Sequence, residues 1–343
     1  MRRFPDGPTE GLLEFAPHEL LRELGTTTWL RLPGTGELPA RAVATLLHGD
    51  ESTGLEALLT VLRRRRRYPF DLHIVLGNVE AALEGPGFAH RFLDSQADGN
   101  RVWSSPAAPA EVPAAETCPQ RRAADAVLGE LLAAPLDALV DLHNTTGANP
   151  FHAIVADETP AALELATRFC TTLLRWDLGA GTLLEAVAPY APAVAVECGL
   201  PGRRGSTAFA VDGLRRALGP RPGTVAAADH DLVRDLRRVT VVEGVRFRFG
   251  GRPDHEADLV LAPDGDAANL RAVPAGHVIG HVHPGAELPL RVTGPDGGDL
   301  TDELLAVAAD GAVVTRTVST PVMVVRTVEA ARKDCYCYLA ATS

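Results

Sequence analysis

Cysteine is scarce in these 343 residues: five occur, at 118, 170, 198, 335 and 337, and no CxxC is among them. An odd, scattered set argues against a disulfide framework or a zinc ribbon and leads us to expect reduced thiols in a cytoplasmic protein. No stretch of about 18 uncharged apolar residues occurs, so a membrane span is not expected. The opening "MRRFPDGPTEGLLEF" is broken by acid, proline and glycine where a signal core would have to be apolar. A basic excess is also missing, since 33 Lys+Arg face 44 Asp+Glu for a net charge of −11. That disfavours nucleic acid or an anionic membrane as partner and leaves small-molecule chemistry. The run Arg63–Arg67 is the apparent exception. It ends a predicted helix, where cations suit the carbonyl-rich terminus, and reads as a solvated helix end.

What is present is a hydrophobic fraction of 46%, enough for a sizeable core. Apolar runs bounded by turn residues recur at "RAVATLL" (41–47), "DLHIVLGN" (71–78), "LDALVDLHN" (136–144) and "PAVAVECG" (192–199). They show little alternation, as strands buried on both faces should. Helical patterns lie between them: "STGLEALLTVLRRRRR" (52–67), "CPQRRAADAVLGELLAAP" (118–135), "TPAALELATRFCTTLLRW" (159–176) and "STAFAVDGLRRALGP" (206–220). The first carries Leu55, Leu58, Leu59 and Leu62 at i, i+3, i+4 and i+7. Strands alternating with helices predict an α/β fold with a mostly parallel or mixed central sheet. The character changes after "LGPRPGT" (218–224). One more helical pattern, 227–238, precedes short β-like runs separated by Gly-Pro-Asp turns. We therefore expect a catalytic domain over 1–222 and a smaller β-rich domain over 223–343. The Pro/Ala-rich stretch 104–117 reads as a surface loop.

The chemistry concentrates where apolar runs end. "HGDESTG" places His48 and Glu51 with two residues between them at a strand-to-helix junction, so both can face one spot. In open α/β sheets, ligands bind outside the carboxyl ends of strands. Zinc accepts imidazole nitrogen and carboxylate oxygen, and catalytic sites usually keep three protein ligands and one open position. His143, in "DLHNTTG", ends a later apolar run and can supply the third ligand. Asp141 can orient a ligating histidine from behind. Asp50 is a rival ligand, whose spacing better suits bracing the turn. Glu197, closing "AVAVECG", can act as general acid and base beside a dication. Cys198 adjoins it, but no activating group is near in sequence, which disfavours thiol chemistry.

The set "HGDESTG", "GNVEAALEG…DGNRVW", "DLHNTTG" and "VECGLPGRRG", in this order, resembles the succinylglutamate desuccinylase/aspartoacylase family, with its zinc-carboxypeptidase-like fold. The likeness covers residues 40–220 well and the remainder in general character. It implies one Zn2+ per chain on His48, Glu51 and His143, with Glu197 as general base and then acid. It implies that Asn100 and Arg101 grip a substrate carboxylate, and that Arg91 polarises the scissile carbonyl. A guanidinium fork suits both arginine roles. It further implies that the C-terminal domain covers the cleft and restricts substrates to small molecules. Asn144 is a candidate for holding substrate or shaping the loop. Val79 stands where the family has proline, and the segment from Arg91 to Asn100 is longer than usual, which makes His90 an alternative to Arg91. No second carboxylate-binding arginine precedes Glu197; Arg203 and Arg204, just after it, are candidates to compensate.

The resulting expectation is a zinc-dependent amidohydrolase acting on a small N-acyl amino acid or related carboxylate. A carboxypeptidase or esterase on the same site, or a metal-binding protein without turnover, are the rivals. His277, His281 and His283 lie close in sequence but lack a nearby acid or cysteine and read as strand-surface histidines. The sequence leaves the acyl group and a homo-oligomeric state open.

Overall fold

The computed structural model describes residues 1–9, 11–64, 67–104, 112–220 and 229–341. The chain divides into two compact units. The first comprises Met1–Asn144, Phe151–Leu174 and Gly179–Leu232; the second comprises Thr145–Pro150, Arg175–Leu178 and the chain from Val233 onward. The expected cut at 222/223 lies in 221–228, outside the described residues, as do Arg65, Arg66 and most of the expected loop after Ser104.

The first unit is built on a nine-stranded sheet. Its strands are β1 (Arg2–Phe4), β2 (Thr28–Leu32), β3 (Leu38–Thr45), β4 (Phe70–Leu76), β5 (Leu136–His143), β6 (His152–Val155), β7 (Thr172–Arg175), β8 (Ala193–Glu197) and β9 (Asp231–Val233). Their order across the sheet is β1-β2-β4-β3-β5-β8-β6-β7-β9. The central strands β4, β3, β5 and β8 are parallel, whereas β2 and β6 run antiparallel to β4 and β8. The sheet is thus mixed. The helices are α1 (Pro17–Leu24), α2 (Thr53–Arg64), α3 (Val79–Leu83), α4 (Pro119–Leu131), α5 (Pro160–Thr167), α6 (Leu183–Val187) and α7 (Arg204–Ala217).

Alternation along the central strands sorts the side chains by face. Val140, Leu142, Val194, Val196, Ala153 and Val155 join α2 leucines Leu55, Leu58, Leu59 and Leu62 in one core. Asp141, His143 and Glu197 occupy the intervening positions and so stand on the other face. They reach the carboxyl ends of β5 and β8, where the polypeptide turns away from the sheet.

Two helical expectations fail. The pattern over 159–176 stays helical to Thr167, and Thr172–Arg175 become β7. The helix tightens at Arg168, whose N–H reaches back to carbonyls of Leu165 and Ala166, and the β-branched Thr171–Thr172 pair then favours extended backbone. The pattern over 227–238, of which 227 and 228 lie outside the described residues, forms β9 and the start of a further strand, β10 (Leu236–Val241). Asp235 interrupts it with a left-handed φ of 55°. Leu236 and Val239 are fully buried, so sheet burial outweighs the helical spacing.

The second unit is β-rich. After β10 come β11 (Phe247–Phe249), β12 (Leu259–Leu261), β13 (Val278–Val282), β14 (Leu290–Thr293), β15 (Leu305–Val307), β16 (Ala312–Thr315), β17 (Ser319–Val322) and β18 (Cys337–Ala341). They form a four-stranded sheet, β14-β10-β18-β17, and a five-stranded one, β11-β12-β13-β16-β15. Val239, Leu259, Val292, Val313, Tyr336 and Leu339 share its core. Among the described residues no helix is long and apolar enough to cross a membrane.

Candidate active site

β3 ends at Thr45, and the chain turns through Leu46, which holds a left-handed φ of 58°. The turn delivers His48, and Glu51 follows just before α2. Gly49 lies between them because a Cβ there would fall 2.5 Å from the Ala82 nitrogen and 2.7 Å from the His90 carbonyl oxygen. Its N–H donates to the Arg91 carbonyl at 2.8 Å, tying this turn to the loop that carries Arg91 and Asp98.

The structure brings His48, Glu51 and His143 together. His48 Nδ1 lies 2.8 Å from Glu51 Oε1, and His143 Nδ1 lies 2.8 Å from Glu51 Oε2. One ligand atom from each of the three falls within 4.8 Å of the others, and all three residues are buried. The far nitrogens are also engaged: His48 Nε2 lies 3.0 Å from Asp98 Oδ1 and His143 Nε2 lies 2.8 Å from Asp141 Oδ2. A carboxylate offers acceptors alone, so each ring, lying between two of them, needs a proton on both nitrogens or a cation at one of them. Both Nδ1 atoms face the acceptor oxygens of Glu51. The donor set of two imidazole nitrogens and a carboxylate suits zinc.

Electrostatics points the same way. Burial works against a charged His143, but Asp141 and Glu51 prevail and hold its pKa well above the ordinary value. His48 is likewise raised, burial and Arg91 being outweighed by Glu51 and Asp98. Burial would raise Glu51, yet the two imidazoles hold its carboxyl far below the usual range. Asp98 is also driven well below its usual range, with burial overcome by His48 and Arg91. The cluster thus favours positive charge between its carboxylates, supplied by imidazolium protons when no metal is bound.

Glu197 is the Cα partner of His143 across the parallel β5–β8 pair. The residue is partly exposed, while its Oε2 is shut off from solvent and meets no hydrogen-bond partner among the described residues. Burial, opposed by His143 and reinforced by Glu51, pushes its carboxyl up to about 7. A carboxyl in that range can take and return a proton near neutrality.

The other expected residues separate. Arg91 joins the cluster, with Nη1 3.6 Å from Glu51 Oε1 and Nη2 3.3 Å from Asp98 Oδ2. His90 contributes its backbone oxygen beside Gly49, and its Nε2 lies toward Gly85. Asn100 is buried, but its side-chain Oδ1 accepts from Leu183 N at the start of α6 and its Nδ2 lies 3.5 Å from His143 Nε2. Arg101 is partly exposed and gives one N–H to the Asn100 carbonyl. Asn144 braces the loop: its Oδ1 accepts from Thr53 N, and its Nδ2 donates to Thr53 Oγ1 and Gly199 O. Arg203 is exposed at the N-terminus of α7, and no hydrogen bond or ion pair links it to the cluster among the described residues. The Asp50 carboxylate leaves Oδ1 buried without a partner among the described residues and outside the three-residue group. Burial and Glu51 raise its pKa. Cys198 is buried with its thiol pushed well above the ordinary value, the opposite of an activated nucleophile. Among the described residues no cysteine forms a disulfide. Among the described residues no second group of three His, Cys, Asp or Glu could share an ion, and His283 instead meets the Asp254 carbonyl at 3.2 Å.

Asp98 is the functional candidate that motif spacing missed. Its position in "DGNR" carries no periodic signal, and its contact with His48 depends on how the 84–103 loop folds back over the β3–α2 turn.

No family model matches the chain, and no curated protein is similar to it in sequence. Solved structures are similar in fold. A succinylglutamate desuccinylase/aspartoacylase from Rhodobacter sphaeroides superposes with a TM-score of 0.52 at 15% identity, covering 89% of this chain and 86% of that one. Murine aminoacylase 3 gives 0.51 at 15% identity, covering 88% and 95%. The product-bound ectoine utilization protein from Ruegeria pomeroyi gives 0.51 at 16% identity, covering 89% and 86%. The chain therefore has the fold of succinylglutamate desuccinylase/aspartoacylase proteins.

Proposed function

We propose that this chain is a zinc-dependent amidohydrolase that removes the acyl group from a small N-acyl amino acid or related carboxylate. The observation that carries the reading is the meeting of two imidazole Nδ1 atoms on one buried carboxylate, with Glu197 beside them on the next strand. Likeness in fold to structures described as deacylases supports it. Zinc held by His48, Glu51 and His143 would polarise the amide carbonyl and make water acidic enough to attack at neutral pH.

The protein's own groups do the rest. Glu197 takes the proton of the attacking water on its carboxylate and later delivers it to the departing amine nitrogen. The Arg91 guanidinium borders the cluster and offers charge to the oxygen that becomes negative during attack. Arg101, partly exposed near Asn100, is the group we assign to the substrate carboxylate. Asn100 holds the start of α6 and keeps Arg101 in place. Asn144 shapes the loop rather than binding substrate. Asp98 and Asp141 orient the imidazoles.

The test is metal analysis followed by hydrolysis of a panel of N-acetyl, N-succinyl and N-formyl amino acids, with peptide and ester substrates beside them. We expect about one zinc per chain and release of free amino acid, lost in Glu197→Gln with zinc retained. A zinc-bearing parent inert on every amide, or a Glu197→Gln variant as fast as the parent, overturns it. Preference for the peptide or ester arm would make it a carboxypeptidase or esterase instead.

A further inference from the structure

We infer that His152, which the proposed chemistry leaves unused, is the positioning residue of Glu197. Strand β8 lies between β5 and β6, and Glu197 at its end is the Cα partner of His143 on one side and of His152 on the other. Neighbouring strands lie about 4.8 Å apart, and directly opposite residues carry their side chains on the same face. His143, Glu197 and His152 therefore form one row across the sheet. The alternation supports this: Leu142, Val196 and Ala153, each one position along its strand, all belong to the core on the opposite face.

His152 is fully buried at 0% exposure, opposite Glu197 in that row. Its neighbour Glu197 has an Oε2 that meets no hydrogen-bond partner among the described residues. A carboxylate with an unbonded oxygen is held largely by the shape around it. His143 bounds Glu197 on the ligand side and His152 bounds it on the far side, so its swing along the row is confined. Truncating His152 opens a space of imidazole size beside Glu197. The carboxylate then gains rotamers that point away from His48, Glu51 and His143, and water can enter to solvate it. Displacement of a proton carrier by about 1 Å costs up to a hundredfold in rate.

The inference rests on the reading of Glu197 as the proton carrier, and two readouts keep the two ideas apart. The first compares His152→Ala with His152→Gln, which restores bulk and polarity, on the panel substrate that the zinc-loaded parent hydrolyses best. We expect kcat to fall about 10- to 100-fold in the alanine variant, with KM within about twofold and zinc content unchanged, and glutamine to recover most of the loss. His152→Ser replaces alanine should that chain not fold. The second is isotope-edited infrared spectroscopy of the metal-free protein, with the Glu197 carboxyl band assigned by its loss in Glu197→Gln. The alanine variant should move that band toward a water-exposed carboxyl, and glutamine should return it. A kcat within about twofold of the parent, an equal loss in both variants, or an unmoved infrared band overturns the inference. A parent without hydrolytic activity overturns the proposed function, while the infrared band still tests His152.

Discussion

Glu197 should reveal itself in stability as well as in rate. Its carboxyl is raised to about 7 by burial, so the folded chain holds a proton that the unfolded chain releases near the ordinary glutamate value. Proton linkage then makes stability greatest below that ordinary value and lowers it as pH rises through about 7. Glu197→Gln lacks this titration. Chemical denaturation of the metal-free parent and variant between pH 5 and 8 should therefore show the parent losing stability relative to the variant as pH increases. Parallel curves would mean that the carboxyl titrates normally. A second residue-level expectation concerns the carboxylates behind the imidazoles. Asp98→Asn or Asp141→Asn keeps the shape but weakens the hold on the Nε2 proton, and zinc affinity should fall about 10- to 100-fold in competition with a chelating dye. The two candidates differed in legibility. Asp141 is two residues from His143 on one strand face, so spacing reveals it; Asp98 meets His48 through a loop fold that spacing does not encode. His48, His143 and Glu197, the residues we propose for metal and proton, are legible because each closes an apolar run, and strand ends in such sheets gather at one edge; Glu51 follows His48 within the same turn. His152 is not, since its place beside Glu197 depends on the antiparallel register of β6.

At the scale of elements, α2 is held against the sheet by the absence of a side chain. A Cβ on Gly54 would lie 2.2 Å from Thr45 Oγ1 and 2.8 Å from Leu142 Cβ. Alanine would raise helix propensity by about 1 kcal/mol, whereas forcing an extra carbon into a packed interface costs about 1–3 kcal/mol. The clash should win. Gly54→Ala is expected to lower the urea midpoint and, because Glu51 immediately precedes α2, to weaken zinc binding too; a variant more stable than the parent would show that α2 can lift freely. The apolar spacing of α2 and the buried runs of β3, β4, β5 and β8 are local signals, and the corresponding elements form where the spacing places them. β9 and β10 show the limit of that method. Leu236 and Val239 fit a helical face, but β10 bonds to β14 on one side and β18 on the other. Those partners lie tens of residues away, beyond the reach of any local pattern.

At the scale of the whole molecule, the chain passes between its two units more often than a single boundary allows. Segments 145–150 and 175–178 belong to the second unit. Asp266 accepts from Ala148 N at 2.7 Å, Asn269 donates to the Ala148 carbonyl at 3.2 Å, and Trp176 meets Tyr338 edge-on at 5.3 Å. Such short excursions are held by single polar contacts and rings, so composition cannot reveal them. The metal, in contrast, is proposed to act within the first unit. A ligand that binds the folded state alone stabilises it by about 2.7 kcal/mol at a hundred times its dissociation constant. Its ligands here come from the β3–α2 turn and the end of β5. Removing zinc should therefore lower the melting temperature and raise hydrogen exchange most in peptides spanning 46–56, 139–144 and 193–200. Strands β1 and β2, at one end of the sheet, should change least. The gradient follows from where the charge is lost: without the cation, imidazolium protons must balance Glu51, Asp98 and Asp141, and those protons leave as pH rises. The stability gap between zinc-loaded and metal-free protein should accordingly widen from pH 6 to 8. A gap that narrows over that range, or exchange that rises evenly across the nine strands, would place the metal elsewhere.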